Sequence, residues 1–182
     1  MRLWGPLTRA TALAAIVLGG GLVPAYAGPS EVELLAGYVG NWKGTGKLSG
    51  AGDIVEGASS ETVVCRMAVS AGKNDKFNLT GRCSMAGTVI SVTGTIVYNE
   101  DANRYEAVMN SGMGGFRGVA IGQKSGSKII FDLQERAKDE AGNAVDISSR
   151  VVLSGDSMDV SFHAAFKDSG DVINAKIPFS KA

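Results

Sequence analysis

The sequence predicts an all-β protein, an antiparallel up-and-down β-barrel of about ten strands with one short N-terminal helix. Two observations carry the prediction. From residue 41 onward, apolar and polar side chains alternate with period two, and turn formers recur about every ten residues. The two cysteines also fall opposite each other when the segment Glu61 to Ser84 is folded as a hairpin, in the register that aligns the apolar faces of both strands.

The first 27 residues read as a secretory leader. Arg2 and Arg9 give a positive start, Ala10 to Val23 is apolar, and Ala25-Tyr26-Ala27 is a small-x-small cleavage pattern. The apolar run is short for a bilayer span, which needs about 20 residues. An uncleaved membrane anchor is the alternative. Cleavage after Ala27 would leave one domain, residues 28–182, in the periplasm or outside the cell. That domain has 155 residues, 16 of them basic and 18 acidic, for a formal charge of −2. Its length suffices for a proper core, and its balance of charge gives no basis for a nucleic-acid partner. No membrane span is expected once the leader is removed.

Ser30-Glu31-Val32-Glu33 has the form of a capping box, and Leu34, Leu35 and Tyr38 follow at near-helical spacing. A helix of about two turns, ending near Gly37 or Gly40, would cover one end of the barrel. The first strand is Asn41 to Leu48, with Trp42, Gly44, Gly46 and Leu48 on one face and Lys43, Thr45 and Lys47 on the other. A glycine-, alanine- and serine-rich loop follows, with a short strand suggested near Ile54-Val55.

Next come Glu61 to Ser70 and Lys76 to Ser84, joined by the turn formers of Ala71 to Asp75. With Ser70 facing Asn78, Cys65 faces Cys83, and opposed residues of this kind lie about 4.5 to 5.5 Å apart at Cα. A disulfide is expected, and two separate buried thiols are the alternative. Thr88 to Tyr98 pairs back across Ala86-Gly87, setting Ile90 against Cys83, Val92 against Gly81 and Gly94 against Leu79. Large residues thus meet small ones, as a curved sheet requires.

The remaining strands are Arg104 to Asn110, Phe116 to Gly122, Lys128 to Glu135, Asp146 to Ser154, Met158 to Phe166 and Val172 to Phe179. Ala137 to Asn143 reads as a polar connection. Pro178 suits an edge position, because it has no N–H to donate.

The run Gly40-Asn41-Trp42-Lys43-Gly44-Thr45-Gly46, after a short helix, resembles the G-x-W-x-G-x-G opening of nitrobindin-like proteins and of the wider calycin group, which includes the lipocalins. Tyr98 to Tyr105, followed by Met109-Asn110-Ser111-Gly112-Met113-Gly114, is similar to a tyrosine- and Met-Gly-containing run of a calycin-like bacterial family of unknown function. In that run Met109 stands in place of a tryptophan, Asn110 in place of an aspartate, and Gly112 intervenes before the Met-Gly pair. The resemblance implies a lipocalin-like barrel. Barrels of this kind carry haem, lipids or no known ligand.

The nitrobindin-like resemblance also implies that a haem would be held by a late histidine pointing inward. His163, the only histidine, falls with Asp159 and Ser161 on the polar face of its strand, so it should point to solvent. No haem or other cofactor, and no metal site, is expected. The chain has no G-x-S-x-G elbow, no phosphate-binding loop before a helix, and no cysteine outside the proposed disulfide, so an enzyme is not expected.

The candidate ligand site is a cavity lined by Trp42, Met67, Phe77, Tyr98, Tyr105, Met109, Phe116 and Phe131, gated by Ser111 to Gly115. A binding barrel for a small apolar or amphipathic ligand predicts about 300 Å³ or more of open space beside Trp42 and Tyr105. The alternative is a structural or interaction protein of the cell envelope, its barrel filled by those same side chains.

Overall fold

The computed structural model describes residues 30–50, 60–85, 87–112, 117–138 and 141–182. The expected leader, the suggested strand at Ile54-Val55, Met113 to Gly115 and the cavity candidate Phe116 lie outside them.

Helix α1 (Glu31–Ala36) precedes ten strands: β1 (Gly40–Ser49), β2 (Ser60–Ala71), β3 (Phe77–Met85), β4 (Thr88–Asn99), β5 (Arg104–Ser111), β6 (Arg117–Ser125), β7 (Lys128–Lys138), β8 (Ala144–Ser154), β9 (Ser157–Phe166) and β10 (Val172–Lys181). Each strand pairs antiparallel with its neighbours in sequence, and β10 pairs with β1 to close the barrel. Closure removes the exposed sheet edges that would otherwise invite pairing with other chains.

The central hairpins have the register read from the sequence. Ser70 lies opposite Asn78 and Cys65 opposite Cys83. Across the next ladder Ile90 faces Cys83, Val92 faces Gly81 and Gly94 faces Leu79. Cys65 and Cys83 form a disulfide with their Cα atoms 4.0 Å apart. Val63, Cys65 and Val69 of β2 and Phe77 and Leu79 of β3 are buried in one continuous core. The turn between β2 and β3 places Asn74 and Asp75 at positive φ, a conformation that asparagine and aspartate tolerate better than most residues.

Two expectations need correction. Residues 137–138 and 144–145, assigned to a polar connection or left outside a strand, extend β7 and β8, with Ala137 opposite Val145 and Lys138 opposite Ala144. Charged side chains support the extension: Asp146 accepts from Arg136 at 3.1 Å and lies 2.6 Å from Lys167 on the strand's other flank. Polarity alone suggested a loop, but on the outer face of a barrel polar residues are at home in a strand.

Pro178, in turn, does not lie on an edge. β10 sits between β9 and β1, and Pro178 lies opposite Asp159 of β9. The β1–β10 register runs through Gly44–Phe179 and resumes at Lys47–Lys176, leaving Thr45 and Gly46 unpaired in that ladder. The proline therefore falls where this ladder lapses, and its missing N–H costs little there. The glycines of β1 serve the same seam. A Cβ on Gly44 would lie 2.6 Å from the Phe179 ring, and one on Gly46 would meet the β10 backbone at Lys176 and Ile177.

Candidate functional site

One end of the barrel is closed by α1. Its capping box is formed in both directions: the Ser30 N–H donates to the Glu33 carboxylate at 3.0 Å, and the Glu33 N–H donates to the Ser30 hydroxyl at 3.2 Å. Leu35 and Tyr38 are buried against the barrel mouth. Three contacts fasten the helix segment. Trp42 Nε1 donates to the Tyr38 carbonyl at 3.0 Å, Lys181 Nζ donates to the Gly37 carbonyl at 2.8 Å, and Lys124 pairs with Glu31 at 3.3 Å. Lys181 also stands over the Trp42 ring, 5.7 Å from its centroid. A backbone hydrogen bond at the helix start, and then Lys124, hold the Glu31 carboxyl below its ordinary range.

Next to this plug lies an aromatic group. Tyr98 and Tyr105 face each other on β4 and β5, with ring centroids 5.1 Å apart, and Tyr105 meets Phe131 edge-on at 6.2 Å. The Tyr98 hydroxyl donates to Asn103 at 2.6 Å. The Tyr105 hydroxyl is buried without a hydrogen-bond partner among the described residues. Burial first, and then the negative charge of Glu31, push its pKa up to about 12.

Below the plug the barrel encloses an almost wholly apolar cavity of about 150 Å³. Its cause is local. Ala107 and Ala120 lie directly opposite each other on β5 and β6, so two facing inward positions carry only a methyl group, and Gly94 of β4, opposite Met109, also borders the space. Leu35 and Tyr38 roof the space, and the disulfide borders it.

Of the cavity residues read from the sequence, Met67, Phe77, Met109 and Phe131 line this space. Trp42, Tyr98 and Tyr105 do not border it: Trp42 fastens the helix, and the two tyrosines pack beside it. The cavity is also about half the expected size and lies away from Trp42. The aromatic residues do not surround the cavity. It opens instead where small residues cluster, and the signal was the inward parity of Ala107, Ala120 and Gly94.

His163 lies on the outer face, with Nδ1 2.9 Å from Asn174 Oδ1. No helix among the described residues is long and apolar enough to cross a membrane.

No family model matches the chain, and no curated protein matches it. Among solved structures it is similar to Rv2717c from M. tuberculosis, with a TM-score of 0.60 at 14% identity over 83% of this chain and 96% of that one. At that identity the likeness establishes the barrel fold and nothing further. A candidate outer membrane protein of Bacteroides fragilis also aligns, at 8% identity over 82% of this chain and 99% of that one, but its TM-score of 0.21 is too low to bear on the fold.

Proposed function

We propose that this is an exported, calycin-like barrel that binds a small apolar or weakly amphipathic molecule in its interior. The enclosed apolar cavity carries the reading. An empty space of about 150 Å³ costs a core about 3 to 4 kcal/mol at the usual penalty of ~24 cal/mol per Å³. Larger side chains at Ala107 or Ala120 would remove that cost. A cavity of this size and polarity takes up benzene-sized guests rather than water. The ligand is accordingly smaller than the lipids that larger barrels hold.

Export is supported by the disulfide, which persists in oxidising compartments, and by the form of residues 1–27. The second reading, an envelope interaction protein with a filled barrel, is favoured by one observation: the cavity is below the roughly 300 Å³ of ordinary ligand sites.

Thermal melting with benzene decides between the two. Binding to the folded state raises Tm with concentration. Ala120→Leu, which fills the cavity, should melt higher without ligand and lose the benzene response. Ala107→Val provides a smaller filling should leucine overpack the site. No response to benzene in the parent protein would leave the filled barrel as the better reading.

A further inference from the structure

Among the described residues, like charges meet in register at two places on the outer face of the barrel: Lys47 opposite Lys176 on β1 and β10, and a longer file on β1 to β3. On β7 and β8, opposite charges meet in register: Arg150 faces Asp132 with contacts of 2.6 and 3.1 Å, and Arg136 faces Asp146. On β1 to β3 the reverse holds. Lys43 lies directly opposite Arg66, and Arg66 directly opposite Arg82. All three are exposed, and none forms an ion pair among the described residues. Like charges directly opposed across a sheet are unfavourable.

The neighbouring rows carry no acidic side chain, although Ala182, whose N–H donates to the Asn41 carbonyl at 2.8 Å, also borders the groove. On one side are Asn41, Ala68, Thr80 and Thr93, in register with one another. On the other are Thr45, Val64, Ser84 and Val89. The three cations line a groove of about 930 Å³, together with the hydroxyls of Ser84 and Ser91. Val64 and Val89, two of the large apolar residues most exposed to solvent, lie in the same groove.

We propose that this groove binds a phosphate-bearing small molecule, with its anionic groups spread along Lys43, Arg66 and Arg82 and its apolar part against Val64 and Val89. Adjacent strands are about 4.8 Å apart, so the three charges form a file about 10 Å long. That length suits a ligand with two or more linked phosphates. Guanidinium groups match phosphate geometry with paired hydrogen bonds, and the Ser91 hydroxyl stands beside them, while the Ser84 hydroxyl donates to the Val64 carbonyl at 3.4 Å. The groove is shallow and open, and its short file of three charges matches a small polyanion rather than an extended surface. The site lies on the outer face and does not depend on the interior cavity being occupied.

Isothermal titration with inorganic tripolyphosphate at low ionic strength tests the proposal. One equivalent should bind, more weakly as salt is added. Arg66→Gln and Arg82→Gln should each lower affinity about tenfold or more, the usual worth of a charge-assisted hydrogen bond. Arg136→Gln, the same charge change elsewhere, should leave binding intact. Without ligand, Arg82→Gln should melt no lower than the parent protein, because it relieves a like-charge contact. The proposal is overturned by an absence of binding, by an equal loss in Arg136→Gln, or by binding seen only with phosphatidylglycerol vesicles or only with a polyglutamate peptide.

Discussion

Tyr105 shows how one side chain can hold a group at a cost. Its ring is 1% exposed and packs well against Tyr98 and Phe131, but its hydroxyl is buried without a partner among the described residues. An unsatisfied buried hydroxyl costs about 1 to 3 kcal/mol, while the ring contacts oppose its removal. Tyr105→Phe keeps the ring and discards the orphan, so it should stabilise the protein by about 1 kcal/mol at neutral pH in denaturant unfolding. The pH dependence has a definite sign. A folded pKa raised from 10 to about 12 means that the native state keeps the proton longer than the unfolded chain does. This contribution is fully present below pH 10 and is lost as pH rises towards 12. Tyr105→Phe should therefore flatten the alkaline decline in stability. A steeper decline in the variant would show that the hydroxyl is not held as described.

At the scale of elements, the β2–β3 hairpin was the most legible part of the chain. Its turn formers, its alternating faces and its two cysteines all required one register, and a slip of one residue would have broken all three. The sequence separation of 18 between the cysteines gives a loop whose closure is worth about 3 kcal/mol in the chain-entropy model. The double substitution Cys65→Ala and Cys83→Ala should lower unfolding free energy by roughly that amount, and the parent protein under reducing conditions should lose a similar amount. An unchanged midpoint in both would mean that the cross-link adds nothing. Less legible were features that depend on distant neighbours. Pro178 could be read as an edge residue because nothing local reveals that β10 returns to β1. Ala137 and Val145 read as parts outside strands because the ion pairs that support their pairing join residues far apart in the sequence, Arg136 of β7, Asp146 of β8 and Lys167 just past β9.

The whole molecule is a closed sheet whose interior shape depends on where side chains are small. Sequence parity identified which residues point inward, and the fold followed from it. Parity does not reveal how much of the interior those residues fill. Trp42 read as a cavity wall because it is large, apolar and inward-facing, but its indole N–H is used to fasten α1 over the barrel mouth. Ala107 shares the inward face of its strand with Tyr105 and Met109, but its direct opposition to Ala120, which borders the central space, is a matter of register between strands. The fold thus depends on pattern, and the cavity on three-dimensional adjacency across strands.

Ligand binding in the interior requires that this space be present and accessible to a guest. Crystals of the protein equilibrated with xenon test this directly, because xenon enters apolar cavities of about this volume and scatters strongly. A xenon site is expected inside the barrel, bordered by Ala107, Ala120 and Phe131 beneath Leu35. A barrel interior filled by side chains, with xenon absent or bound only at the surface, would contradict it.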